Sequence, residues 1–269
     1  MNPEPFESAV EALISGEAVT LASLLGENPE LARARSARAH RATLLHYLAA
    51  NGVEDERQKT PENAVEMAAM LLRAGAEVDA TAWMYGGEQT TLCMLVSSVP
   101  PAKAGVQIAL VDLLVDFGAR VDGPALMTAL AHGYADAAEA LVRRGARADN
   151  LAAAAGLGRI EEAVRMLPES NAETRHRALA LAAQHGRAEI LKLLLDAGED
   201  PSRYNPAGYH AHSTPLHQAA LAGHEAAVRL LVERGARLDV EDTVHHGTPL
   251  GWAIYGGRDA VAEYLRKQR

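Results

Sequence analysis

Cysteine is nearly absent from the chain, since Cys93 is the only one among its 269 residues. A disulfide within the chain is therefore excluded. Aromatic residues are also scarce, at 4% of the sequence, although hydrophobic residues make up 48%. A core with so few rings has to be built from Ala, Leu and Val in close contact. This composition favours thin, stacked helices over a β-sandwich or a barrel.

An excess of positive charge is absent as well. The sequence has 35 acidic and 26 basic residues and a net charge of −9, whereas binding to a phosphate backbone needs a basic surface. We therefore expect no nucleic-acid partner. Long hydrophobic runs are also missing, so we expect no membrane span, no signal peptide and no membrane partner, and the cytoplasm is the simplest location.

Sequence motifs of common enzymes are missing too. The chain contains no G-x-S-x-G, no phosphate-binding glycine loop and no H-E-x-x-H. We therefore predict no catalytic residues and no cofactor. Cys93 has no basic partner near it in the sequence, and we interpret it as a small buried hydrophobic residue.

What the sequence does contain is a repeat. The triplet T-P-L begins at Thr214 and again at Thr248, 34 positions later. The stretch "TPLHQAALAGHEAAVRLLVERGA" (214–236) corresponds to "TPLGWAIYGGRDAVAEYL" (248–265), and "RALALAAQHGRAEILKLLLDAGE" (177–199) follows the same pattern. A period near 33 with T-P-L-H, a central Gly-His and a final L-L-x-x-G-A resembles the ankyrin repeat.

The resemblance implies an all-α fold, an ankyrin-repeat solenoid of about seven helix-turn-helix units joined by β-hairpin-like fingers. Threonine as a helix N-cap, proline in the first turn and glycine at the helix end support this reading independently. We expect a single domain over residues 1–269, with an N-terminal capping unit at about 5–40 and a C-terminal one at about 243–269. The Ala-Arg-rich composition fits a free-standing bacterial member of the family.

The predicted fingers differ in length. They are long between Gly75 and Thr90, Gly198 and Thr214, and Gly235 and Thr248, and short between Gly118 and Pro124 and between Gly145 and Asp149. The middle fingers are therefore truncated. We expect a notch in the concave face, walled by residues 76–90 on one side and by 199–213 with 236–247 on the other.

Three histidines occupy positions that the resemblance explains. His217 is the fourth residue of T-P-L-H, His46 holds the same place in the variant T-L-L-H, and His224 follows a central glycine. In ankyrin repeats the motif imidazole forms hydrogen bonds between neighbouring loops. We therefore expect all three to have structural roles.

Other polar and aromatic side chains are candidates for a binding surface, because Trp, Tyr and Arg are frequent anchors of protein interfaces. The candidates on the concave face and fingers are Tyr47, Trp83, Tyr85, His132, Gln184, His185, Tyr209, His210, His212, Gln218, His245, Trp252 and Tyr255. The finger histidines are numerous enough for a zinc site, but no cysteine lies near them, and we predict no metal site.

Two functional interpretations follow. The first is a scaffold without chemistry of its own that binds another protein through its concave face and fingers. The second is a small-molecule or enzymatic pocket in the notch, suggested by the loss of fingers in the middle of the chain only. Fold alone does not decide between them.

Overall fold

A computed structural model of the chain describes residues 3–268, and most of these residues are helical. In chain order the helices are α1 (Pro3–Ser15), α2 (Ala18–Glu27), α3 (Leu44–Ala49), α4 (Ala64–Arg73), α5 (Thr91–Leu95), α6 (Val99–Lys103), α7 (Gln107–Asp116), α8 (Ala125–Ala131), α9 (Ala135–Arg143), α10 (Leu151–Leu157), α11 (Ile160–Met166), α12 (Ala172–Gln184), α13 (Ala188–Asp196), α14 (Pro215–Ala222), α15 (Glu225–Glu233), α16 (Pro249–Tyr255) and α17 (Asp259–Lys267). The helical repeat architecture expected from the sequence is confirmed.

Apart from α6, these helices follow one another along residues 3–268 as eight consecutive pairs, each with an inner and an outer helix. The count is one more than the seven or so estimated from the sequence.

The described residues fall into two units. The first comprises residues 3–129 and 136–147, and the second comprises residues 130–135 and 148–268. In the first unit α1, α3 and α5 pack side by side, and so do the outer helices α2, α4 and α7. In the second unit α10, α12, α14 and α16 form the inner row, and α11, α13, α15 and α17 form the outer row. The single domain over 1–269 stays a prediction.

The T-P-L-H motif works through local hydrogen bonds. The Thr214 hydroxyl lies 2.8 Å from His217 Nδ1, and the Thr214 amide donates to the same nitrogen at 3.2 Å. His217 Nε2 then donates to the Gly247 carbonyl of the next finger at 3.0 Å. His46 makes the equivalent bond to the Gln89 carbonyl at 3.1 Å. The structural role predicted for these two histidines is confirmed.

The fingers differ as the sequence predicts. In the first unit, β1 (Thr81–Met84) and β2 (Gly87–Thr90) form an antiparallel hairpin. Its two turn residues both have positive φ, a combination that suits a two-residue hairpin loop. The long connections at 197–214 and 234–248 consist of turns and bends instead, and the middle connections are short. The truncation of the middle fingers is therefore confirmed.

Candidate functional site

Six of the predicted binding residues meet around one cavity of about 600 Å³ in the second unit. The cavity lies where the two long connections, 197–214 and 234–248, face the inner helices α14 and α16. Its lining residues are His210, His212, Gln218, Leu221, His245, Gly247, Gly251, Trp252 and Tyr255. We call this cavity the finger pocket.

Rings form much of the finger pocket. The ring centroid of His212 lies 6.0 Å from that of His210, 6.5 Å from that of His245 and 5.7 Å from that of Trp252. Tyr255 is 88% exposed at the rim. Aromatic surfaces held side by side in this way can bind an apolar group without rearranging.

Asp242 organises the finger behind the pocket. Its carboxylate is fully buried and accepts hydrogen bonds from the amides of Val244, His245 and Gly247 and from Trp252 Nε1, at 2.7–3.0 Å. Burial alone would raise the pKa of Asp242, but these hydrogen bonds hold it well below the usual range of a carboxyl group. The ionised carboxylate therefore sets both the shape of the finger and the position of the indole.

The histidine tract of the 197–214 finger is held by the backbone of α8. His210 Nε2 donates to the Ala131 carbonyl at 3.0 Å, and Gln184 Nε2 donates to the same oxygen at 3.0 Å. His185 Nε2 donates to the neighbouring Leu130 carbonyl at 2.8 Å. The last carbonyls of a helix have no partner within the helix, which makes them available to these side chains.

The two long fingers of the second unit are also joined to each other. The Thr243 amide donates to the His212 carbonyl at 2.8 Å, and the Tyr204 hydroxyl donates to the Glu241 carbonyl at 2.6 Å. These bonds fix the wall of the finger pocket before any ligand arrives.

Burial lowers the pKa of His185 and of His210, and in His210 the neighbouring charge of His132 lowers it further. Both imidazoles stay neutral near pH 7 and donate through Nε2, which fixes the tautomer. Each thus serves to attach one element to another. Burial accounts for the lowered pKa values, since the bonds to the carbonyls act in the opposite direction, and no catalytic role is needed to explain them.

A second cavity of about 390 Å³ adjoins the finger pocket and shares Gln218 and Leu221 with it. Three of its lining residues follow the glycine that ends an inner helix, and we call them the basic row: Arg187, His224 and Arg258. Each one donates a side-chain N–H to a carbonyl near the end of the inner helix of the previous unit, at 2.9–3.1 Å. The acceptors are the carbonyls of Gly156, Gln184 and Leu221, respectively. The expected structural role of His224 is therefore confirmed.

Glycines make room for the basic row. A Cβ added at Gly158 would lie 3.0 Å from Arg187 Cδ. One added at Gly186 would lie 2.6 Å from the His224 ring, and one added at Gly223 would lie 2.8 Å from Arg258 Cδ. These three glycines also have positive φ, which side chains disfavour. Each helix-ending glycine thus allows the residue of the next unit to lie across it.

Gly223→Ala and Gly235→Ala distinguish the two reasons why such positions need glycine, which are the positive φ and the room for a neighbouring side chain. Both residues have φ of +85°, but a Cβ at Gly235 meets nothing within 4 Å. We expect Gly235→Ala to lower the free energy of unfolding by about 1–2 kcal/mol because of the left-handed backbone. Gly223→Ala should cost about 1 kcal/mol more, because Arg258 must give up its bond to the Leu221 carbonyl. Urea denaturation measures both changes, and equal losses would show that Arg258 does not depend on Gly223.

Not all of the predicted residues lie at this site. Tyr47 is fully buried, so the prediction that it faces a groove is wrong. Its hydroxyl donates to Glu54 in the connection after α3, and its ring lies beside those of Phe6 and His40. Trp83 and Tyr85 belong to the hairpin of the first unit, where they are 58% and 75% exposed.

Two further predictions have simple outcomes. Tyr209 does not line the finger pocket, and its ring packs against Arg177, whose guanidinium carbon lies 5.7 Å from the ring centroid. Cys93 is buried as predicted, and burial raises the pKa of its thiol.

The arginines of the basic row were missed by sequence reasoning. The signal was present in "LGR", "HGR", "AGH" and "GGR", where the residue after each central glycine is basic. Its meaning depends on contacts between successive units, which spacing within one unit does not reveal.

Within residues 3–268 no group of three or more His, Cys, Asp or Glu side chains is arranged to hold a metal ion. No helix in this part of the chain is both long and apolar enough to cross a membrane.

Comparison with known proteins identifies the repeat. The family model described as "Ankyrin repeats (3 copies)" matches residues 102–205 and 179–269. Cyclin-dependent kinase inhibitor 2A of Homo sapiens is 37% identical over 124 residues, which are 44% of this chain and 76% of that protein. Ankyrin repeat and SAM domain-containing protein 6 of Mus musculus is 36% identical over 101 residues.

The match to the mouse protein covers 38% of this chain but only 11% of the relative's own length. Among solved structures, the human ASB11 ankyrin repeat domain is similar over 97% of both chains, with 20% identity and a TM-score of 0.48. The relatives named here are eukaryotic, so they give no support to the bacterial type predicted from composition. Ankyrin repeats generally mediate contacts between proteins.

Proposed function

The chain belongs to the ankyrin-repeat family, and on this basis we propose that it is a scaffold that binds another protein through the finger pocket and the adjoining basic row. The finger pocket is the observation that carries the proposal. It gathers an exposed tyrosine, a tryptophan and three histidines on a wall that is already fixed by hydrogen bonds. Preformed pockets with aromatic anchors are where interfaces concentrate their binding energy.

The chemistry of the histidines favours binding over catalysis. His185, His210 and His217 each donate through Nε2 to a backbone carbonyl. In each ring this bond serves a structural contact between elements, whereas a general base has to be placed within reach of a reacting group. The scaffold would act without a cofactor, and the cytoplasm remains the proposed location.

A photo-crosslinking experiment tests the proposal. A photoreactive phenylalanine derivative placed at Tyr255 should crosslink to a protein partner in an extract of the cells that express this chain. The same residue placed at Glu233, exposed on the outer helix α15, should not reach that partner.

Variants of the pocket rim show whether the capture is specific. Tyr255→Ala combined with His245→Ala should weaken partner binding at least tenfold, as expected for the loss of anchor side chains. Val244→Ala is the matched control, because Val244 is 59% exposed on the same finger but does not line the pocket. Equal binding by both variants would refute the proposal.

A further inference from the structure

The groove formed by the finger pocket and the second cavity differs in charge from the rest of the protein. The chain carries a net charge of −9, yet neither cavity is lined by an Asp or Glu residue. The lining contains five histidines and two arginines instead. The carboxylate of Asp242 lies close by, but it is buried behind Trp252 and fully engaged.

The two arginines retain donors for a ligand. Within residues 3–268 neither Arg187 nor Arg258 forms an ion pair, and each uses its Nε–H on a backbone carbonyl. That bond holds the planar group in place and leaves the two terminal nitrogens as donors. A guanidinium fixed in this way is suited to a carboxylate, which it can bind through two parallel hydrogen bonds.

The apolar part of the groove lies next to this charge. Trp252, Tyr255 and Leu221 line the finger pocket, and Leu221 also lines the second cavity with the arginines. A ligand with an apolar side chain in the finger pocket therefore places its neighbouring groups beside the basic row. Inner helices lie about 8–10 Å apart and an extended chain advances about 3.3 Å per residue, so about three residues span one step of the row.

We infer that this groove recognises an acidic, extended segment of another protein, with one aromatic or aliphatic side chain in the finger pocket and carboxylates on Arg187 and Arg258. The inference rests on the proposed function and names the chemistry of its partner. A nucleic acid fits poorly, because two arginines offer few phosphate contacts and the net charge of the chain repels a polyanion.

Selection from a random library of displayed twelve-residue peptides tests the inference on the full chain. We expect the selected peptides to be enriched in Asp and Glu around a Trp, Phe, Tyr or Leu residue. Their affinity should fall about tenfold or more in Arg187→Gln/Arg258→Gln. The control Arg203→Gln/Arg266→Gln changes the net charge equally at two exposed arginines and should bind as the wild type does. Thermal melts of both double variants confirm that they are folded.

The possible results separate the two proposals. Neutral or basic peptides that bind and are lost in Tyr255→Ala/His245→Ala would overturn the acidic partner and leave the scaffold intact. Acidic peptides that bind both arginine variants equally would also overturn the role of the basic row. Peptide binding that no groove variant weakens, or no selection at all, would refute the proposed function together with the inference.

Discussion

Asp242→Ala is expected to lower the free energy of unfolding by about 3 kcal/mol or more. The substitution leaves three backbone amides and the Trp252 indole without their acceptor. A buried donor without a partner costs about 1–3 kcal/mol, and such losses within one network are not additive. Asp242→Asn should have an intermediate effect, because its amide nitrogen cannot accept the bonds from Gly247 and Trp252. Urea denaturation followed by circular dichroism measures both.

Asp239→Asn is the control for this prediction. Asp239 lies on the same finger, but its side chain is 74% exposed and pairs with Arg237, which is 65% exposed. Exposed pairs contribute little, so no resolvable change in the free energy of unfolding is expected. The pKa of Asp242 is lowered by folding, so its contribution is present above pH 4 and is lost as the pH falls. The acid limb of the stability curve should therefore be flatter in Asp242→Asn, and an unchanged limb would contradict the assignment.

Tyr47→Ala is expected to destabilise the chain by about 3–5 kcal/mol, the usual cost of removing a large buried ring. Tyr47 has no exposed surface, and its ring centroid lies 6.2 Å from that of Phe6 and 6.1 Å from that of His40. The truncation would open a cavity within the first unit. Equilibrium unfolding in urea gives the size of the loss.

Tyr85→Ala provides the comparison. Tyr85 is 75% exposed at the tip of the hairpin, and its hydroxyl donates to the Asn51 side chain at 2.6 Å. Its removal should cost less than about 1 kcal/mol, since only one exposed hydrogen bond is lost. Similar losses for the two tyrosines would mean that Tyr47 does not hold the first unit together.

Much of the fold could be predicted because its signals are local. Threonine caps, first-turn prolines and helix-ending glycines act within a few residues, so they can be recognised within a single repeat of the sequence. Finger length is equally local, and it placed His210, His212 and His245 on two long fingers as candidates for a binding surface. Those residues do meet in the finger pocket.

Exposure was harder to predict because it depends on what covers a position. Tyr47 and Trp252 occupy the same place in their repeats, four residues after the capping threonine. The hydroxyl of Tyr47 bonds to Glu54 in the connection that follows α3 and its ring lies beside those of Phe6 and His40, whereas Trp252 is only half-buried. Arg187 and Arg258 were missed for a related reason. Their direction is set by glycines of the preceding unit, which a comparison of equivalent positions does not show.

The bond from His210 to the Ala131 carbonyl also affects how the chain unfolds. In a linear array each unit contacts only its neighbours, so unfolding can begin at an end and advance one unit at a time. His210 precedes α14, yet it bonds to a residue 79 positions earlier, with two complete helix pairs between them. These pairs cannot separate from the end of α8 while the bond persists. The two pairs from α10 to α13 should therefore open as one cooperative block, and fraying from the C-terminal end should be confined to the units after it.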